Sequence, residues 1–176
     1  MRDKITATEE IYEGRIVKLD VHRVELPDGN ITTREVVRHP GAVAIVAVDE
    51  AQQVLLVRQY RIAADRTMLE IPAGTLEPDE SPTVCAAREL QEEAGYLANT
   101  LTPIGGFFVA PGYTTEYIHL FVGTDLVEST LPTDDDEFIE VERVPLSTAL
   151  DFIERGEISD SKSIAGLLRV ARRYGL

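Results

Sequence analysis

Glu89, Glu92 and Glu93 stand at i, i+3 and i+4, with Glu80 a little upstream, and here residue type and spacing first imply chemistry. On a helix the three carboxylates share one face. Like charges so spaced repel by roughly a few tenths of a kcal/mol per pair. A helix that carries them all toward one point makes sense around a hard divalent cation. Mg²⁺ takes oxygen ligands, keeps some water and bridges to substrate phosphates. The plainer alternative is a solvated amphipathic helix. Such a helix interleaves Lys with Glu, whereas residues 76–95 hold six acids and one cation.

The element that must carry these groups is marked at both ends. Ser81 can cap a helix and Pro82 suits its first position. Gly95 suits the left-handed residue that ends one. The spacing predicts a helix from about Pro82 to Ala94, with Ala86, Leu90 and Ala94 as its packing stripe and the glutamates off it. Arg88, four residues before Glu92, can hold that carboxylate in place.

Strands are expected around this helix. Residues 11–38 read as an antiparallel meander, turning at Pro27-Asp28-Gly29-Asn30. A hairpin of that size is not stable alone, so it must pack on the rest of the chain or on a second subunit. Ala42–Val48 is a continuous apolar run and predicts a central strand. Asp49–Gln52 is a turn, and Val54–Val57 then predicts a hairpin partner. Met68–Ile71, stopped by Pro72, is a short strand; Ile104–Val109, Tyr117–Val122 and Phe138–Val144 are three more. Helices are expected over Leu146–Arg155, stopped by Gly156, and from Ser161 or Ser163 through Ala171. Interleaved strands and helices with few βαβ units predict a mixed α+β fold with helices on the faces of the sheet.

Composition bounds the rest. A chain of 176 residues is one domain by size, and long enough for a real core. A net charge of −14 argues against binding long nucleic acid. It leaves room for a small phosphorylated ligand, because a bound cation reverses the local sign. No run of about 18 apolar residues predicts a membrane span, and MRDKITATEEIYEGR lacks the apolar stretch of a signal peptide. A single cysteine, Cys85, fits a reducing, cytoplasmic setting. Its place on the helix reads as a packed, inert thiol. His22, His39 and His119 are not at ligand spacing and read as structural.

A family resemblance attaches to these residues. Gly74, five residues, Glu80, seven residues, then Arg88-Glu89-Leu90-Gln91-Glu92-Glu93-Ala94-Gly95 resembles the Nudix box, whose core is REUxEExG with U a large aliphatic residue. Tyr96 departs from the aliphatic residue usual after it. Pro111, sixteen residues after Gly95, sits in Ala110–Glu116, which looks like the proline-glycine loop of the ADP-ribose pyrophosphatase branch. Gln59-Tyr60-Arg61, Leu69–Gly74 and Ala165–Leu168 look like that branch too.

The resemblance implies a mixed sheet sandwiched between helices (residues 41–176), preceded by a dimer-forming β-segment (residues 1–40). It implies metal-dependent hydrolysis of a nucleoside diphosphate sugar, with ADP-ribose giving AMP and a sugar phosphate. Mg²⁺ is the implied cofactor, with Mn²⁺ or another divalent cation as alternatives, and a cytoplasmic homodimer the implied state. By resemblance, Glu89 and Glu93 are the main metal ligands, Glu92 holds a further ion or a water, and the Ala73 carbonyl is an additional ligand. Arg88 orients the glutamates and Glu80 supports them. In the acidic run Asp134–Glu137, Glu137 falls at an extra metal ligand and Asp135 at the group acting on the water. Arg61 is the expected pyrophosphate contact; Arg34 and Arg38, Gly112 and Glu116 are further substrate contacts, with Tyr113 or Phe108 as a stacking surface for a base. The alternatives are a relative acting on GDP-mannose or a dinucleotide polyphosphate, and a non-catalytic nucleotide sensor.

Overall fold

A computed structural model of the chain describes residues 2–132 and 138–176. The chain divides into two compact units. One comprises Met1–Gly41 with Phe107–Tyr117, and the other Ala42–Gly106 with Ile118–Leu176.

The first unit is an antiparallel sheet of three strands in the order β1 (Lys4–Glu13), β2 (Lys18–Glu25), β3 (Ile31–Arg38). The β2–β3 turn is the expected one. Gly29 takes a left-handed φ of 87°, and Asp28 accepts from both the backbone and side-chain amides of Asn30 at 3.0 and 2.7 Å. The strand β1 starts seven residues before the expected meander and is exposed along its whole length. Its polar sequence carries no sustained apolar alternation, and it is defined by its ladder to β2. The loop after Val109 is stitched to the end of β3. Val37 donates to Tyr113 at 2.8 Å, Thr115 donates back to Val37 at 3.0 Å, and His39 N–H donates to Thr115 Oγ1 at 2.9 Å.

The second unit holds a four-stranded sheet in the order β7-β4-β9-β8 and a three-stranded one in the order β10-β5-β6. The strands are β4 (Ala42–Ala47), β5 (Gln53–Arg61), β6 (Arg66–Glu70), β7 (Ala73–Thr75), β8 (Tyr96–Phe108), β9 (Tyr117–Glu128) and β10 (Glu140–Pro145). The helices are α1 (Pro82–Ala94), α2 (Leu146–Glu154) and α3 (Ser161–Tyr174). The apolar run at 42–48 is the central strand expected, because β4 is covered on both faces. Val43, Ile45 and Ala47 join Cys85, Ala86, Leu90 and Ala94 of α1 in the core. On the other face, a methyl added to Gly166 of α3 would come within 3.0 Å of Val46 and Ile71, so α3 lies close against the sheet.

The expected β4–β5 hairpin does not form as a two-stranded ladder. The chain reverses at Asp49–Gln52, but only one bridge, Val48 to Val54, joins the two strands. Both edges of β4 are taken, by β9 in parallel and β7 antiparallel, so β5 crosses to the second sheet and pairs with β6 and β10. Among the described residues, no helix is long and apolar enough to cross a membrane.

Candidate active site

Helix α1 forms as its local chemistry dictates. Ser81 accepts from the Val84 amide, Pro82 opens the helix, and Gly95 closes it at φ 73°, ψ 23°, its N–H returning to the Leu90 and Gln91 carbonyls. The stripe Ala86, Leu90, Ala94 is buried as expected. Removing a Leu90 side chain from water contributes roughly 2 kcal/mol, which anchors the opposite, acidic face. One glutamate departs from the expected pattern. Glu93 does not lie off the packed surface; it is 5% exposed.

Burial of Glu93 is compensated by the backbone beside it. The Ala73 amide donates to Glu93 Oε2 at 2.8 Å, so the end of α1 is tied to the start of β7. The next residue, Gly74, has no side chain for a physical reason. A Cβ there would lie 1.8 Å from Glu89 Cδ and 1.9 Å from its Oε1. Glu89 therefore occupies the space a side chain at 74 would fill. Two carboxylates of the helix are seated on two consecutive residues of one short strand.

Arg88 organises the remaining acids. Its Nε and Nη2 donate to the two oxygens of Glu80, each at 3.0 Å. Its Nη1 lies 2.7 Å from Glu92 Oε2 and 2.8 Å from Glu89 Oε1. The Glu92 contact is the i,i+4 pair expected from spacing; the bidentate clasp on Glu80 fixes the loop before the helix. The Arg88 hydrogen bonds, helped by the Glu77 amide and opposed by burial, pull the Glu80 carboxyl down from 4.5 to about 2. Hydrogen bonding to Glu80 above all, and the charges of Glu89 and Glu92 against the cost of burial, hold Arg88 well above its ordinary value. Cys85 is a free buried thiol. Burial and the neighbouring Glu80 push its pKa up, so it is inert, as its place in the helix implies.

Arg61, at the end of β5, is not a free surface cation. Its Nη2 donates to Glu70 Oε2 at 2.7 Å and its Nε reaches both Glu70 oxygens at 3.2 Å. Glu70 is 2% exposed, and Lys162 of α3 donates to the same Oε2 at 2.7 Å. Burial pushes the Glu70 carboxyl up, but Arg61 and Lys162 outweigh it and hold it below its usual value. Next in sequence, the Ile71 amide donates to the fully buried Ser163 Oγ at 2.9 Å. Glu70, Asp160, Lys162 and Ser163 are not expected at the site from sequence; Ser163 is expected only as a candidate helix start, and the cap is Asp160. One signal was available: Glu70 is a charged residue inside a short strand stopped by Pro72, and a buried carboxylate requires a partner.

The other expected substrate contacts lie in the first unit. Arg38 is committed to Asp20 and Glu10, with Nε 2.6 Å from the buried Asp20 carboxylate. Arg34 donates to the Thr33 carbonyl and lies 3.6 Å from Asp3. Gly112 is exposed, and a Cβ there would meet nothing within 4 Å. The Glu116 amide donates to Thr114 Oγ1 at 3.2 Å. Phe108 packs edge-on against Tyr117 at 5.0 Å, while Tyr113 is exposed. Asp135 and Glu137 lie outside the described residues.

Glu89, Glu92, Glu93 and the Ala73 carbonyl, the expected metal ligands, offer oxygen donors alone, the chemistry hard divalent cations take. Among the described residues, no three acidic, His or Cys side chains are grouped at ligand distance; Arg88 instead supplies the charge between Glu89 and Glu92. The donor chemistry, with Glu89 seated in the space beside Gly74, fits such an ion.

Two family models match the chain. Residues 38–167 match the NUDIX domain model, and residues 4–37 match the nucleoside diphosphate sugar hydrolase N-terminal domain model. The chain is 43% identical over 165 residues to an ADP-ribose pyrophosphatase of Bacillus subtilis (strain 168), covering 93% of this chain and 89% of that protein. It is 33% identical over 177 residues to a GDP-mannose pyrophosphatase of Cronobacter sakazakii (strain ATCC BAA-894), covering 93% and 90%. A crystal structure of an ADP compounds hydrolase superposes with a TM-score of 0.88 at 25% identity, over 99% of this chain and 95% of that one.

Proposed function

This chain belongs to the Nudix hydrolase family, and on that premise we propose that it hydrolyses the pyrophosphate bond of ADP-ribose, giving AMP and a sugar phosphate. The observation that carries this reading is the seating of Glu89 and Glu93 on Gly74 and Ala73 with Arg88 ordering the acids around them. The relatives name ADP-ribose and GDP-mannose, so GDP-mannose hydrolysis is the second reading.

Nudix hydrolases work with divalent cations, and Mg²⁺ is the ion we assign. Bound, it neutralises phosphate charge, orients the diphosphate and lowers the pKa of a water. Glu89, Glu93 and the Ala73 carbonyl would hold it, with Glu92 on a further ion or a water. Arg88 fixes the directions of Glu89 and Glu92. Arg61 meets a phosphate oxygen, its charge kept by Glu70. Arg34, Arg38, Gly112 and Glu116 are assigned to the substrate, Glu116 as acceptor for its hydroxyls. Asp135 is assigned as the group that takes the proton of the attacking water, and Glu137 as an extra ligand. Residues 1–40 are assigned as the dimer-forming segment of a cytoplasmic homodimer. Exposed Ile5, Ile11, Tyr12, Ile16 and Ile31 and the lone buried free thiol support those two assignments. A monomeric mass by light scattering would remove the dimer.

The deciding experiment is phosphatase-coupled phosphate release over a panel of nucleotide sugars with Mg²⁺ or Mn²⁺. ADP-ribose is expected to lead. Turnover of GDP-mannose well above ADP-ribose refutes the preferred substrate, and no turnover of any member refutes the hydrolase.

A further inference from the structure

The first turn of α3 reaches back to the segment that leads into the carboxylate cradle. Asp160 caps the helix, its Oδ1 accepting from the Ser163 amide at 3.0 Å and from Lys162 Nζ at 2.8 Å. Lys162 is thereby fixed at its own helix end, and its ammonium lies 2.7 Å from Glu70 Oε2. Glu70 in turn accepts Nε and Nη2 of Arg61. One residue on, Ser163 holds the Ile71 amide, two residues before the amide that holds Glu93. A single helical turn thus grips Glu70 and Ile71, 92 residues away in sequence.

The chemistry of this arrangement is directional. A guanidinium is planar, with donors in a rigid fork. Arg61 spends its Nε/Nη2 edge on Glu70, so its Nη1 hydrogens point elsewhere in that plane. The partner is buried while the Arg61 side chain stays 40% exposed, so the cation is the part of the pair a ligand can reach. Arg61 is also within electrostatic reach of Glu93, which lies on the carboxylate helix. Glu70 alone would leave the pair free to rock about the carboxylate. Lys162 on the same oxygen, itself tied to Asp160, restrains that motion.

We infer that Lys162 is a positioning residue for diphosphate binding: acting through Glu70, it holds Arg61 in the orientation that meets a phosphate oxygen. This rests on the reading that Arg61 touches the substrate. It assigns Lys162 no contact with the reacting atoms. Removing Lys162 leaves Glu70 paired with Arg61, and leaves Asp160 with the Ser163 amide but without its cation, so the melting temperature is read beside binding.

The test is a double-mutant cycle on the full chain. Equilibrium binding of ADP-ribose is measured by calorimetry in EDTA, where it is not turned over, alongside KM and kcat with Mg²⁺ and the melting temperature. The proteins are wild type, K162M, K162R, R61A and K162M/R61A, with K162Q as a second neutral variant should K162M not fold. K162M is expected to weaken ADP-ribose binding about tenfold and raise KM in step, with kcat within about threefold of wild type. K162R should restore most of the loss. In the R61A background, K162M should add less than about twofold. Wild-type binding by K162M beside a weakened R61A overturns the inference, as does an undiminished K162M effect in the R61A background. Wild-type binding by R61A is a different failure: it overturns the Arg61 contact itself.

Discussion

A methyl group at position 74 separates the seating of Glu89 from the stability of the fold. An ideal Cβ on Gly74 lies 1.8 Å from Glu89 Cδ, 1.9 Å from Oε1 and 2.3 Å from Oε2. Ordinary van der Waals contact begins near 3.4 Å, so in Gly74→Ala the carboxylate must retreat by well over 1 Å. The group that yields is the end of a flexible side chain. The backbone at Gly74 is not in the left-handed region, so alanine is allowed there. Replacing Gly by Ala at such a site stabilises by about 0.4–1 kcal/mol through the unfolded chain, which offsets part of the rotamer cost at Glu89. The melting temperature should therefore move by only a few degrees. Activity should not survive so well, because misplacing a catalytic group by about 1 Å costs about 100-fold in rate. Phosphatase-coupled release of phosphate from ADP-ribose at saturating Mg²⁺, with scanning calorimetry on the same preparations, reads both quantities. Wild-type kcat in G74A would show that the position of Glu89 is irrelevant to turnover. A melting temperature lowered by more than about 10 °C, corresponding to a loss of a few kcal/mol, would show that the fold and not Glu89 absorbs the clash.

Other perturbations probe neighbouring parts of the site. Glu93→Gln keeps an acceptor for the Ala73 amide but loses the charge; kcat should fall by orders of magnitude with little change in urea midpoint, and retained turnover would remove Glu93 from the metal site. Arg88→Ala takes the cation from among Glu80, Glu89 and Glu92; breaking a largely buried pair costs about 3–5 kcal/mol, so a urea denaturation loss under about 1 kcal/mol would refute the organising role. The Glu80 pKa falls on folding from 4.5 to about 2, so its contribution is complete above 4.5 and is lost as pH drops toward 2. The size is on the order of 3 kcal/mol. Wild type should exceed E80Q in stability at pH 6 and lose most of that margin near pH 2; a constant margin would contradict the pairing. Between Asp135→Asn and Glu137→Gln at saturating metal, the former is expected to show the larger fall in kcat, and the reverse order would move the base to Glu137.

Much of this protein is legible where the determinants are local. The cap at Ser81, the proline at Pro82 and the left-handed Gly95 are decided within a few residues of each other, so α1 has the bounds its sequence predicts. The apolar run at 42–48 needs burial on both faces, and it becomes the covered central strand. Where the determinant is a distant partner, the reading falls short. The polar pattern of β1 hides a strand held by its ladder to β2 and by polar contacts such as Glu10 with Arg38. The turn at Asp49–Gln52 is real, but which strands pair depends on whether the edges of β4 are already occupied.

The same distinction divides the site. Charge spacing on one helix, three acids within five residues, is a property of the sequence itself, and from it came the expectation of a carboxylate-bearing helix suited to a hard cation. Which carboxylate would be buried, that Gly74 clears the space for Glu89, and that Arg61 is held by Glu70 and Lys162 were decided only by the tertiary structure. The physical reason is range. Capping and helical periodicity act over one or two turns. A buried ion pair depends on which chain segments exclude water together, and here α3 must come to the end of β6 before Lys162 and Glu70 meet.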